Sequence, residues 1–242
     1  MDAQAVIESL DFTLLNHEAS EEELEGFISR ANSSEVGAVC VFSEHAEFVK
    51  ERLNPEIKLA VVAAGFPIGS SDINEISHAI SSAVEAGVDE IDVVLEPRKE
   101  ENFPNEIELE LLKEMRSATG ECVLKVILET PLLQEREMRA VARMALAAGV
   151  DFIKTCTGKR GGCSDDAAAI FAYEVMRHER AFGEKLGVKL SGGIFHTHHH
   201  LADGRLEILT SLAVREGVSM DLIKLISNST SVEDALLTLE DL

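Results

Sequence analysis

Two kinds of hydrophobic pattern alternate along the chain. Short continuous apolar runs occur at Leu10–Leu15, Gly37–Phe42, Leu59–Ala64, Glu90–Leu95, Cys122–Leu128, Asp151–Thr155, Gly187–Leu190 and Leu222–Ile226. Between most of them lie stretches with apolar residues at helical spacing: Glu21–Ala31, Ile73–Ala86, Glu106–Ala118, Leu133–Ala148 and Asp165–Leu186. Continuous rather than alternating runs suit parallel strands covered by helices. Eight such units in 242 residues predict an α/β fold, a single domain over residues 1–242 closed as a (β/α)8 TIM barrel. An open doubly wound sheet is the runner-up and normally uses fewer strands.

One internal echo adds to this reading. Ala86-Gly87-Val88-Asp89-Glu90-Ile91-Asp92 resembles Ala148-Gly149-Val150-Asp151-Phe152-Ile153-Lys154, at an offset of 62 residues, or two units of 31. In both, a glycine ends a helix and the chain enters a strand. These are the fourth and sixth strands, and even strands of a barrel feed the same layers of side chains. Asp92 and Lys154 are therefore expected inside the barrel at equivalent depth. A buried charge is expensive unless paired or used, so the pair is either a structural salt bridge or working chemistry.

The segment Asp151-Phe152-Ile153-Lys154-Thr155-Cys156-Thr157-Gly158-Lys159 delivers Lys154 to the C-terminal end of an apolar strand, the end where barrel enzymes carry their sites. Gly187-Val188-Lys189-Leu190-Ser191-Gly192-Gly193 places Lys189 on the next strand, again just before a glycine turn. A lysine is a nucleophile only when deprotonated, and its ordinary pKa is about 10.4. Burial or a second cation lowers it. Two lysines facing one mouth are expected to repel, leaving one neutral and able to form a Schiff base with a carbonyl substrate. Solvent-directed lysines, or pairing by Asp92 alone, are the plainer alternatives.

Composition narrows the partners. The chain has 44 acidic and 22 basic residues and a net charge of −22. Nucleic acids and anionic membranes demand clustered Lys and Arg, so neither is expected as a partner. A small anionic substrate in a local basic pocket stays open. Met1–Leu10 has no basic segment followed by a long apolar one, and Leu59–Ile68 is far shorter than the about 20 residues of a membrane span. Cys40, Cys122, Cys156 and Cys163 show no zinc-type spacing. Free thiols in a reducing cytoplasm are expected. His196, His198, His199 and His200 are read as part of a solvated loop and helix start, with weak metal binding as the minor alternative.

Seven ordered segments bring these features together: Asp11-Phe12-Thr13-Leu14-Leu15, Val39-Cys40-Val41-Phe42, Gly65-Phe66-Pro67-Ile68-Gly69, Glu90-Ile91-Asp92-Val93-Val94, Leu124-Lys125-Val126-Ile127-Leu128-Glu129-Thr130, and the Lys154 and Lys189 segments. From about Leu10 to Ser229 the chain resembles the deoxyribose-phosphate aldolases, class I aldolases of the DeoC type. The resemblance implies reversible cleavage of 2-deoxy-D-ribose 5-phosphate to D-glyceraldehyde 3-phosphate and acetaldehyde, without metal or cofactor, in cytoplasmic deoxyribonucleotide breakdown. It assigns Lys154 to the imine, Lys189 to lowering that lysine's pKa and relaying protons, and Asp92 to proton transfer. Asp11, Lys125 and Thr155 fall with groups near the substrate. Cys40 matches a cysteine near the site that turnover does not require. Lys159, Gly192, Gly193, Ser229 and Thr230 match the phosphate clamp. Phe195 stands where the family usually has an arginine, and the C-terminal tyrosine of some members is missing. Phe195 keeps open an aldolase with a different acceptor, phosphorylated or not, and the histidines at His196–His200 keep open a non-catalytic metal- or metabolite-binding barrel. Family analogy suggests a homodimer.

Overall fold

The computed structural model of the protein describes residues 7–100, 102–201, 204–215 and 218. Eight strands form one closed barrel in chain order. They are β1 (Leu10–Leu14), β2 (Ala38–Phe42), β3 (Lys58–Ala63), β4 (Glu90–Val94), β5 (Val123–Ile127), β6 (Phe152–Lys154), β7 (Gly187–Leu201) and β8 (Gly204–Val214). Between them run α1 (Glu21–Ser34), α2 (Ala46–Lys50), α3 (Ile73–Glu85), α4 (Glu106–Thr119), α5 (Glu135–Ala147) and α6 (Asp165–Phe182). The first seven strands and five of the helices between them lie where the hydrophobic pattern predicts them, within a few residues, apart from a longer β7; the short α2 is not among the predicted helices.

Most of the longer helices begin on capping side chains. Ser20 and Asn105 form capping boxes with Glu23 and Glu108, and Asp72 and Ser164 cap α3 and α6. Acidic residues fill the first turns, among them Glu21, Glu22 and Glu23 in α1 and Asp165 and Asp166 in α6. These complement the helix dipole and give part of the acidic excess a structural use.

The eighth strand departs from expectation. The run Leu222–Ile226 lies outside the described residues. The closing position belongs instead to β8, which is antiparallel to both β7 and β1. Only two residues separate Leu201 from Gly204, whereas a parallel return needs a crossover of a dozen or more. The chain must therefore turn back as a hairpin. Leu206, Ile208, Leu212 and Val214 alternate along β8 and bury their side chains with Leu10, Phe12 and Leu14 of β1 and Leu24, Phe27 and Ile28 of α1. His196–His200 consequently lie on β7, paired with residues 205–209 of β8, rather than in a loop and helix start.

The β7–β8 ladder breaks once. Leu190 faces Leu212, and the next register pair is Phe195 with Thr210. Residues 191–194 thus face Ser211 alone. This bulge frees backbone around Gly192 and Gly193 from the ladder at the C-terminal end of the barrel.

If β8 is a true barrel strand, Leu212→Ala removes a side chain only 1 % exposed and should cost about 2–5 kcal/mol in urea denaturation. A loss below about 0.5 kcal/mol, typical of surface positions, would contradict closure by this strand.

Candidate active site

The barrel interior is divided by chemistry. Cys40, Phe42, Ala60 and Val62 form a small apolar cluster contributed by β2 and β3. The remaining strands contribute charge. Glu90 and Asp92 are two residues apart on β4 and so share its inner face. Lys125 is opposite Asp92 in register on β5, and Lys154 and Lys189 are opposite one another on β6 and β7. Asp11 comes from β1, and Arg215 follows β8 directly.

These seven residues form a continuous string of alternating sign. Arg215 binds Glu90, and Glu90 binds Lys125. Lys125 Nζ donates to Asp11 Oδ2 at 2.9 Å, which also lies 2.8 Å from Lys189 Nζ. Lys189 Nζ donates to Asp92 Oδ2 at 2.9 Å, and Lys154 Nζ donates to that same oxygen at 2.7 Å. Two longer contacts brace the string, Lys125 to Asp92 Oδ1 at 3.6 Å and Arg215 to Asp11 Oδ1 at 3.5 Å. Because β8 is antiparallel, its C-terminal end and Arg215 lie at the N-terminal face of the parallel strands, as does Glu90 at the start of β4. Lys154 ends β6 at the opposite face. The string therefore runs through the barrel to the mouth.

Burial alone would suppress the charges of Asp11, Asp92, Lys125 and Lys189, but their partners outweigh it. Asp11 would rise on burial, yet Lys125, Lys189 and Arg215 hold it well below the ordinary carboxylate range. Asp92 would likewise rise on burial and is held low by Lys154, Lys189 and Lys125. Burial would lower Lys125 and Lys189, but the carboxylates raise both, Lys189 strongly through Asp11 and Asp92. The two facing lysines thus do not simply repel. Asp92 sits between them, and Lys189 is the one fixed as a cation.

The sequence-expected residues fall into three groups. Asp92, Lys154 and Lys189 meet at the mouth end of the string. Asp11 and Lys125 are fully buried links further in and reach the mouth only through Lys189 and Asp92. The Thr155 hydroxyl is engaged with the backbone of Ser191, donating to its carbonyl at 3.3 Å and accepting from its N–H at 3.1 Å. Cys40 is buried, and burial together with nearby Asp92 pushes its thiol up to about 11, so it is uncharged at neutral pH.

At the rim, Lys159 is exposed and its N–H is fixed by the Thr157 hydroxyl at 3.1 Å. Gly158 and Gly192 have φ of 75° and 94°. A Cβ on Gly192 would come within 2.5 Å of Cys156 Sγ, and one on Gly158 within 3.1 Å of Gly192 Cα. Glycine is needed at both for the β6 and β7 turns to meet backbone to backbone. Side chains at 193–200 and all of Ser229 and Thr230 lie outside what the structure describes.

Sequence reasoning missed four contributors. Glu90 was detectable from the two-residue spacing before Asp92. Arg160 ties the mouth together: it donates to the buried Glu129 carboxylate at 2.9 Å, to Glu96 at 2.8 Å and to the Pro67 carbonyl at 3.2 Å, joining loops after β3, β4, β5 and β6. Glu129 also accepts from the Thr157 N–H at 3.2 Å, which steadies the turn carrying Lys159. Arg215 is visible only once the run 206–214 is read as a strand.

Residues 5–204 match the model of the DeoC/LacD family aldolases. The chain belongs to the DeoC/LacD aldolase family. It is 32 % identical over 185 residues to the deoxyribose-phosphate aldolase of Mycoplasma mobile, covering 76 % of this chain and 82 % of that protein. The solved structure of the aldolase QR15 superposes with a TM-score of 0.70 at 29 % identity, covering 78 % of this chain and 82 % of that one. The tail has a second likeness. Residues 196–242 match the CbiD C-terminal domain. Over 53 residues the chain is 83 % identical to the cobalt-precorrin-5B C(1)-methyltransferase of Prochlorococcus marinus strain NATL1A, 22 % of this chain but only 14 % of that protein. The aldolase match ends at 204, so Arg215, nearly all of β8 and the Ser229-Thr230 turn lie beyond it and within the CbiD-like stretch.

The charge string sets a stability window. Asp11 and Asp92 have lowered folded values, so their contribution is complete above the unfolded carboxylate value of about 3.9 and is lost as pH falls through the folded values. Lys125 and Lys189 have raised folded values, so theirs is complete below about 10.4 and is lost as pH rises through the folded values. Urea midpoints measured from pH 3 to 11 should therefore show this contribution intact between about pH 4 and 10. Asp11→Asn strips a carboxylate from two buried ammonium groups and should cost about 3–5 kcal/mol at pH 7. A loss under about 1 kcal/mol would mean the string is not a buried ion network.

Proposed function

We propose that the protein is a class I aldolase, a lyase that reversibly cleaves 2-deoxy-D-ribose 5-phosphate into D-glyceraldehyde 3-phosphate and acetaldehyde through an imine on Lys154. The carrying observation is the Lys154 amine at the C-terminal end of β6, 2.7 Å from a carboxylate oxygen that Lys189 also holds. Membership of the aldolase family supports the reaction class.

The chemistry follows from charge and position. Fully protonated, the string holds four cations against three carboxylates. Lys154 is the terminal lysine, has a single carboxylate partner and is the one next to the mouth. Loss of its proton leaves three charges against three. The free amine attacks C1 of the open-chain sugar, and loss of water gives the protonated imine. Removing the proton of the C3 hydroxyl then breaks the C2–C3 bond, whose electron pair enters the enamine. Glyceraldehyde 3-phosphate leaves. Protonation at C2 and hydrolysis release acetaldehyde and restore the amine. Lys189, held as an ammonium beside Asp92, suits the donor role, and Asp92 passes protons between the two lysines.

The substrate phosphate fits the rim. Lys159 supplies a cation, and the bulge at Gly192 and Gly193 supplies backbone N–H groups not used by the ladder. A weaker phosphate preference is a second reading, favoured by the end of the aldolase match before Ser229 and Thr230. The proposed setting is cytoplasmic deoxyribonucleotide breakdown by a single-domain protein, with a homodimer as the proposed assembly. Among the described residues no helix is long and apolar enough to cross a membrane.

Borohydride trapping with 2-deoxyribose 5-phosphate, followed by peptide mass spectrometry, should yield an adduct on Lys154, and Lys154→Met should abolish both adduct and turnover. Unchanged turnover in that variant would overturn the mechanism. Lys159→Ala should raise KM for the phosphorylated sugar about tenfold, the loss of one charge-assisted contact, while leaving trapping of unphosphorylated 2-deoxyribose unaltered. Equal effects on both sugars would remove Lys159 from the phosphate site.

A further inference from the structure

Arg215 occupies a position that the aldolase resemblance assigns no role. It follows the closing strand, inside the CbiD-like stretch. Its guanidinium binds Glu90 and lies 3.5 Å from Asp11. It also stacks 5.5 Å from the centre of the Phe152 ring, which Lys125 Nζ approaches at 5.7 Å from the centroid. Gly187 makes room for that ring, since a Cβ there would fall 2.1 Å from it. Arg215 is thus built into the N-terminal end of the string whose other end is Lys154.

We propose that Arg215 is a positioning residue for catalysis: as the fourth cation of the string, it supplies the surplus charge that drives the proton off Lys154. With Arg215 present, the protonated string carries one excess positive charge, and releasing a proton at Lys154 restores balance. Without it, three lysines match three carboxylates, and releasing that proton leaves an uncompensated negative charge. The effect is electrostatic and passes through Glu90, Lys125, Asp11, Lys189 and Asp92. The inference rests on the Lys154 imine proposed above.

Other charged groups are compatible with this balance. Among the described residues Lys154 touches Asp92 from β4; the other inward titratable groups are Asp11 from β1, the neutral Cys40 thiol from β2, Glu90 from β4, Lys125 from β5 and Lys189 from β7. Inward-facing Ala60 and Val62 of β3 carry no charge. Cys156, beyond β6, donates its thiol proton to the Ser191 carbonyl at 3.0 Å, and burial raises its pKa. Glu129 is already paired with Arg160 at 2.9 Å.

The test is the pH dependence of borohydride trapping on Lys154 in four proteins: wild type, Arg215→Met, Glu90→Gln and the double variant. Arg215→Met should move the pH of half-maximal trapping upward by about half a unit or more, the scale for one charge acting across a protein interior. Glu90→Gln adds a second surplus charge and should move it downward. The double variant restores one surplus charge and should return close to wild type, whereas two merely structural lesions would add. Arg215→Lys should keep the wild-type profile. If Arg215→Met fails to fold by circular dichroism, Glu90→Gln decides, and an unmoved profile there overturns the proposal. A folded Arg215→Met with an unmoved profile, or a double variant no closer to wild type than the singles, also overturns it. Absence of any Lys154 adduct in the wild type would instead reject the imine reading itself.

Discussion

The rest of the structure is organised around one oxygen atom. Asp92 Oδ2 accepts from both Lys154 and Lys189, deep in a barrel where an unpaired charge costs several kcal/mol. Sharing that oxygen uses up its charge, so Lys189 needs a second carboxylate, Asp11. Asp11 then needs Lys125, Lys125 needs Glu90, and Glu90 needs Arg215. Each residue of the string is required by the one before it. Buried ion networks are weak evidence for stability. Here the network accounts for something else: two lysines held side by side at a barrel mouth, one with carboxylates on two sides and the other with a single partner.

The architecture was largely legible because seven of its strands obey the rules from which it was read. Continuous apolar runs and intervening helical patterns located β1 to β6, the start of β7 and the helices between them. The Ala-Gly-Val-Asp echo correctly put Asp92 and Lys154 in one shared interior. Closure was not legible in the same way. By the same pattern the eighth parallel strand is expected at the apolar run Leu222–Ile226. The strand used by the fold is less regular in sequence: Leu206, Ile208, Leu212 and Val214 keep a period of two, but Leu209 and Thr210 break it. It follows β7 after two residues, too few for a crossover. That short connection, more than the hydrophobic period, marks an antiparallel return, and it puts the histidines before it on the partner strand.

The site was legible to the extent that its residues carry recognisable chemistry. Lys154 and Lys189 announce themselves by ending apolar strands at glycine turns. Glu90 and Arg215 do not, because their roles depend on which faces close up in three dimensions. Glu90 differs from a surface acid at a strand start only in sharing the inner face with Asp92. Arg215 becomes interior only because β8 runs backwards, which brings its C-terminal end to the face where Glu90 begins β4. The reading of two facing lysines counted the cations of the mouth but not the carboxylates between and behind them.

Net charge is a poor guide to such a site. The protein carries −22 overall, yet the string of described interior charges, with every lysine protonated, holds a positive excess. The two facts are compatible because they belong to different places. Many of the acids lie in first turns of helices on the outside, in high dielectric and screened over about 8–10 Å by salt. The cations of the string are enclosed, where their fields persist. On the proposed reading, a phosphorylated sugar nearing the mouth meets Lys154, Lys189, the exposed Lys159 and the N–H groups of the Gly192 bulge before the distant acidic surface matters. The same separation explains why a tail with a different family likeness can serve an aldolase barrel. β8 must supply an alternating face for α1 and small residues, Ser211 and Ala213, toward the interior. It also ends in a cation that Glu90 holds.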